Sequence, residues 1–128
     1  MVPDQVWTNA QKDVLTIQNV NSGNGTFAGV FKRARDKNST NGYNIRGEIG
    51  KDGSTLGWSV IYIYEDPQKL DYRNSIVWCG HSVTNSKTQK QEIYAMWLNT
   101  TEYKQLQNYI VVNVGLDRFV AWNNATKI

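Results

Sequence analysis

Apolar residues in this chain recur at every second position almost throughout, and almost nowhere at helical spacing. "VLTIQNV" (Val14 to Val20) alternates, as does "YNIRGEI" through Tyr43, Ile45, Gly47 and Ile49. "TFAGVFKRA", "TLGWSVIYIY", "SIVWCGHSV", "EIYAMWLN" and "YIVVNVGLDRFVAW" are rich in β-branched and aromatic residues, and a short "VWTN" precedes them. Turn chemistry separates the runs: "NSGNG" makes a hairpin of the second and third, and "GKDGS" carries an Asp-Gly pair. "DKNSTNG", "EDPQKLDYRN" and "TNSKTQK" are polar connections, and "TTEYKQLQN" has room for one helical turn. About eight strands at near-regular spacing predict an all-β fold, an eight-stranded antiparallel up-and-down barrel, with a β-sandwich as the alternative. The 128 residues suit one domain spanning 1–128, large enough for a core without staples. A barrel of eight strands encloses side chains or one small ligand.

"GTFAGVF", Gly25 to Phe31, poses a local question. Phe27, Gly29 and Phe31 share one face of a strand, and a strand interior disfavours Gly. Gly29 therefore marks a bend, a bulge, or a close approach to the backbone.

Aromatics make up 12 % of the chain, with five Trp and seven Tyr. Trp7, Phe31, Tyr62, Trp78, Trp97 and Tyr109 fit one interior face, and a ring of aromatics suits the wall of an apolar ligand slot as well as a plain core. Asn9 shares the face of Trp7, Asp13 opens the second strand, and Asp117 lies near the end of the last. Buried carboxylates need hydrogen-bond donors, which a ligand bearing N–H groups supplies.

Several functions find no footing. The net charge of +3 is small and scattered, and the one basic run, Lys32, Arg33, Arg35 and Lys37, reads as a solvated segment rather than a nucleic-acid site. No segment is long enough to span a membrane as a helix. The single cysteine, Cys79, excludes an intrachain disulfide. His81 falls on the face opposite Trp78, so no metal-ligand cluster, nucleophile motif or phosphate loop is expected. Asp13 and Asp117 resemble a carboxylate pair only in number, and no enzyme activity is expected. "MVPDQVW" has no apolar run of the kind a secretory leader carries. Asn24, Asn38, Asn99 and Asn124 open N-x-S/T triplets, a weak pointer to secretion in an Asn-rich chain.

Six separated motifs, kept in order, resemble the avidin and streptavidin family. They are "WTN" (7–9), "TIQNVNSGNGTFAGVF" (16–31), "LGWSV" (56–60), "VWCG" (77–80), "AMWL" (95–98) and "VGLDRF" (114–119). The resemblance implies an eight-stranded barrel that binds biotin at one end, non-catalytically, in a secreted homo-oligomer, dimer or tetramer. It makes Asn9 a donor to the biotin ureido oxygen and Asp117 an acceptor of a ureido N–H. Trp78 and Trp97 become aromatic walls, Tyr62 stands where a Trp is usual, and Tyr109 stands where a Trp is lent to a neighbouring subunit. Gly29 lets the third strand bend beside the slot. Three positions depart from the family pattern. Phe31 replaces a Tyr and Asp13 a Ser, which removes two hydroxyl donors. Arg33 replaces a small hydroxyl residue, and Glu65 falls near the region that meets the biotin carboxylate. The departures leave open a pocket for another small ligand, donor-rich or cationic at its head, or a purely structural oligomerising module in which Arg33 pairs with Asp13. Apolar outward residues in "YIVVNV" and "VIYIY" argue for an oligomer, and an intersubunit disulfide through Cys79 is a further option.

Overall fold

A computed structural model describes residues 5–34, 42–63, 72–103 and 109–122, with side chains at all of these except 61–63, 72–74, 101–103 and 109–111. Eight strands follow one another: β1 (Gln5–Thr8), β2 (Val14–Asn21), β3 (Thr26–Lys32), β4 (Tyr43–Ile49), β5 (Thr55–Ile63), β6 (Tyr72–Thr84), β7 (Gln91–Tyr103) and β8 (Tyr109–Ala121). Each pairs antiparallel with the next, and β8 returns to β1, closing an up-and-down barrel. No helix occurs among the described residues. Among the described residues the closing seam sets Trp7 opposite Ala121 and Thr8 opposite Val120. One further backbone bond, from Trp122 N–H to the Val6 carbonyl, extends it.

Period-two alternation decides which side chains fill the barrel. Phe27 and Phe31 on β3, Leu56, Trp58 and Val60 on β5, and Ile93 and Ala95 on β7 all point inward and are buried. Their neighbours point out. Turn residues do the closing work the sequence suggested. The Asn21 side-chain oxygen accepts from the N–H groups of Gly23 and Asn24, and Gly25 takes a left-handed φ of 72°.

The strand bounds differ from the sequence reading in two places. β7 runs on through Thr100–Tyr103, where a helical turn was expected; the remainder of that turn, 104–108, lies outside the described residues. β6 begins at Tyr72 rather than at Ser75. The closing segment, which had room for one or two strands, is one strand of 13 residues. Gly29 is explained by close approach. A Cβ there would strike the Thr16 carbonyl on β2, and the register shift in this ladder lies between Gln18 and Asn21 instead. The crowding neighbour is therefore a strand backbone, and Gly29 itself lines no cavity among the residues around the ligand-sized hollow.

Candidate functional site

Three tryptophans and a glycine stand in one row across the barrel wall. Trp58 on β5 pairs with Trp78 on β6, Trp78 with Trp97 on β7, and Trp97 with Gly115 on β8. Trp58 stacks on Trp78 with ring centroids 5.4 Å apart and planes 13° off parallel. Phe31 meets the same Trp78 at 4.9 Å, tilted by 55°. Such pairs add about 0.5–1.5 kcal/mol beyond area burial and hold Trp78 in one orientation.

Above this aromatic floor a cavity of about 360 Å³ opens at the end of the barrel where β1 leads into β2. Phe31, Trp78, Trp97 and Ile76 wall it, and Asp13, Asp117, Arg33 and Asn99 supply its polar groups. A larger hollow of about 1030 Å³ lies along β3–β6, where Gly47 and Gly57 thin the wall. Its lining draws on both faces of the sheet, whereas the smaller cavity gathers Asp13, Asp117, Arg33 and Asn99 beside its aromatic walls and is the candidate site.

Asn9 ties the polar groups together. It is 6 % exposed and sits behind the two aspartates. Its amide nitrogen donates to Asp13 Oδ2 at 3.0 Å and to Asp117 Oδ1 at 3.3 Å, while its oxygen accepts from the Asp13 N–H at 2.9 Å. Asp117 Oδ2 accepts from Trp78 Nε1 at 3.1 Å, and Asp13 Oδ1 from the Ala34 N–H at 3.0 Å. Burial pushes the Asp117 carboxyl above its ordinary pKa, and the charge of Asp13 adds to the rise; the bonds from Trp78 and Asn9 oppose it. The Arg33 guanidinium lies over the Tyr43 ring, 5.6 Å from its centroid, and within 3.5 Å of its hydroxyl. Asp13 accepts hydrogen bonds from Asn9 and Ala34.

Asp13, Phe31, Arg33, Trp78, Trp97 and Asp117 thus come together around one cavity, with Asn9 immediately behind. Tyr62 and Tyr109 lie on β5 and β8, but their side chains are outside the described set, and Glu65 is outside the described residues altogether. Trp7 is fully buried in the core and lines no part of this cavity. Sequence reasoning missed Gln11, Ile76 and Asn99 as lining residues, and Trp58 as the support beneath Trp78. The available signal was the strand period, since Ile76 precedes Trp78 by two and Asn99 follows Trp97 by two. Among the described residues no three His, Cys, Asp or Glu side chains converge in a way that holds a metal ion.

Comparison with solved structures places the barrel among avidin-like proteins. Xenavidin superposes with a TM-score of 0.74 at 21 % identity, over 93 % of this chain and 96 % of that one. Rhizavidin in complex with biotin gives 0.69 at 18 % identity, over 96 % and 94 %. Apo shwanavidin gives 0.67 at 16 % identity, over 95 % and 100 %. No curated protein sequence matches. The Avidin family model matches residues 1–122, nearly the whole chain, and this protein belongs to the avidin family.

Proposed function

We propose that this chain is a non-catalytic small-ligand-binding protein whose cavity takes biotin or a molecule of its shape, with weakened recognition of the ureido oxygen. The observation that carries this reading is the cavity of about 360 Å³ walled by Phe31, Trp78 and Trp97 and ending on Asp13 and Asp117. Family membership and the biotin complex of rhizavidin supply the ligand class. Phe31 and an ionised Asp13 offer no hydroxyl hydrogens. Two missing neutral donors cost about 1–3 kcal/mol together, roughly one to two decades of affinity. That loss is small beside the limit of about −18 to −21 kcal/mol for the tightest complexes.

The same reading makes the protein a homo-oligomer. Val77, Leu98 and Val114 form one outward row across β6–β8, and Cys79, Met96 and Leu116 form the next. Leu116 is 79 % exposed, Val114 65 % and Met96 60 %, so the single barrel leaves a continuous apolar strip to cover.

Thermal unfolding with and without millimolar biotin tests the ligand. A ligand that binds only the native state stabilises by RT ln(1 + [L]/Kd), so micromolar affinity raises the midpoint measurably. An unchanged midpoint at millimolar biotin overturns the reading.

A further inference from the structure

Among the described residues, the side-chain and backbone donors that reach Asp13 and Asp117 are spent on their carboxylates. Both amide hydrogens of Asn9 go to aspartates, one to Asp13 and one to Asp117. The Trp78 indole N–H goes to Asp117, and the Ala34 N–H goes to Asp13. Phe31, which walls the same space, has no hydroxyl to offer. Each of the four carboxylate oxygens therefore has one protein partner and keeps acceptor capacity for another. A urea presents an acceptor oxygen as well as two N–H groups, and that oxygen would meet oxygens here. Two carboxylates held by one amide also repel each other, and the Asp117 carboxyl is raised first by burial and further by the neighbouring Asp13.

We propose that the cavity is built for a planar cationic head, a guanidinium or amidinium of about the size of the biotin ring system, bound edge-on between Asp13 and Asp117 beside the aromatic wall that Trp78 and Phe31 form together. Such a group carries donors and no acceptor, which matches the free valences of the two carboxylates. Its charge offsets their repulsion, and the indole and phenyl faces attract a flat cation. Among the described residues, the charged groups facing the head are Asp13 from the β1–β2 connection, Asp117 from β8, and Arg33 just beyond β3. Among the described side chains, β6 and β7 contribute Ile76, Trp78, Trp97 and Asn99 to the lining. Arg33 packs against Tyr43 and suits an anionic tail leaving the cavity. The inference rests on the reading of this cavity as a biotin-shaped slot and names the head group it prefers.

Titration calorimetry of the full chain with 2-iminobiotin and with biotin separates the two ideas. 2-Iminobiotin replaces the ureido oxygen by an imino group, and its protonated head at pH 7 is a cyclic guanidinium. The expected result is that 2-iminobiotin binds at least about tenfold more tightly than biotin at pH 7, as charge-assisted bonds outweigh neutral ones. Its affinity should fall as pH drops through the raised pKa of Asp117, because protonation removes one anion while the guanidinium stays charged. Biotin should show no such loss. Asp13→Asn keeps an acceptor for the Ala34 N–H and should shrink the preference by about tenfold, with Asp117→Asn as the alternative variant if the first unfolds. Biotin binding as tightly as 2-iminobiotin, or more tightly, overturns this inference and leaves the biotin reading standing. Binding of neither overturns both.

Discussion

Trp97 lies directly across the β7–β8 ladder from Gly115, and its indole covers the space a side chain at 115 would occupy. The missing Cβ leaves room for the ring against the strand beside the cavity it lines. Gly115→Val should lift the indole off β8 and intrude on the slot, at an overpacking cost of about 1–3 kcal/mol. The expected outcome is a loss of about tenfold or more in affinity for whichever ligand the wild type binds, with altered tryptophan fluorescence. An unchanged Kd would mean that Trp97 is not a wall of the site.

Phe31→Tyr tests the lost donor. The ring is 2 % exposed, and it lines the cavity beside Trp78. A hydroxyl added there should improve biotin affinity by about threefold to tenfold, the worth of one net neutral hydrogen bond. Calorimetry on the two proteins decides this, and weaker biotin binding by the Tyr variant would show that the hydroxyl points away from the ligand.

Stability should respond to acid through Glu92. Its side chain lies on the outer wall of the barrel but is buried, gripped by Arg118 through Nε at 2.8 Å and through Nη2. Tyr94 at 2.9 Å and Asn85 at 3.1 Å complete the cluster. Arg118 above all, with Tyr94 and Asn85, holds the Glu92 pKa down from 4.5 to about 2 against the opposing effect of burial. A depressed carboxyl adds stability that is present above its unfolded value and is lost as pH falls. The unfolding midpoint should therefore drop between pH 4.5 and about 2, and Glu92→Gln should flatten that limb while lowering the midpoint at pH 7. Asp117 acts with the opposite sign, because its raised carboxyl is a burden that protonation relieves. Arg118→Ala should destabilise at neutral pH more than Glu92→Gln, since it strands a buried charge.

The outward strip on β6–β8 predicts assembly. Leu116→Glu combined with Met96→Lys places charges in the middle of that strip. Sedimentation should show an oligomer for the wild type and a monomer for the double variant. A wild type that sediments as a monomer at micromolar concentration would overturn the proposed assembly.

The barrel was legible because alternation is local: each strand's inward set can be counted off without knowing its partners. Strand ends were less legible. Thr100–Tyr103 carries polar residues that look like a connection, yet pairing with β6 keeps it extended. Gly115 sits within the last strand, and the indole of Trp97 across the ladder shows why a strand tolerates it there. The cavity residues came mostly from motifs. What the sequence withheld was the hydrogen-bond ledger of Asn9, which depends on Asp117, 108 positions away. Residue types at Asn9, Asp13 and Asp117 say what each group is able to do, whereas their mutual distances say what each is already doing.

The seam between β1 and β8 has a mechanical consequence. Among the described residues, first and last strands meet there at the pairs Trp7–Ala121 and Thr8–Val120. The side-chain bond from Asn9 to Asp117 is a rivet across that join, placed at the cavity's inner end. A ligand seated between Asp13 and Asp117 would span the same join and act as a buckle on the barrel's hoop. Its release would then be tied to the parting of the chain's two outermost strands, so that slow dissociation and slow unravelling become one event.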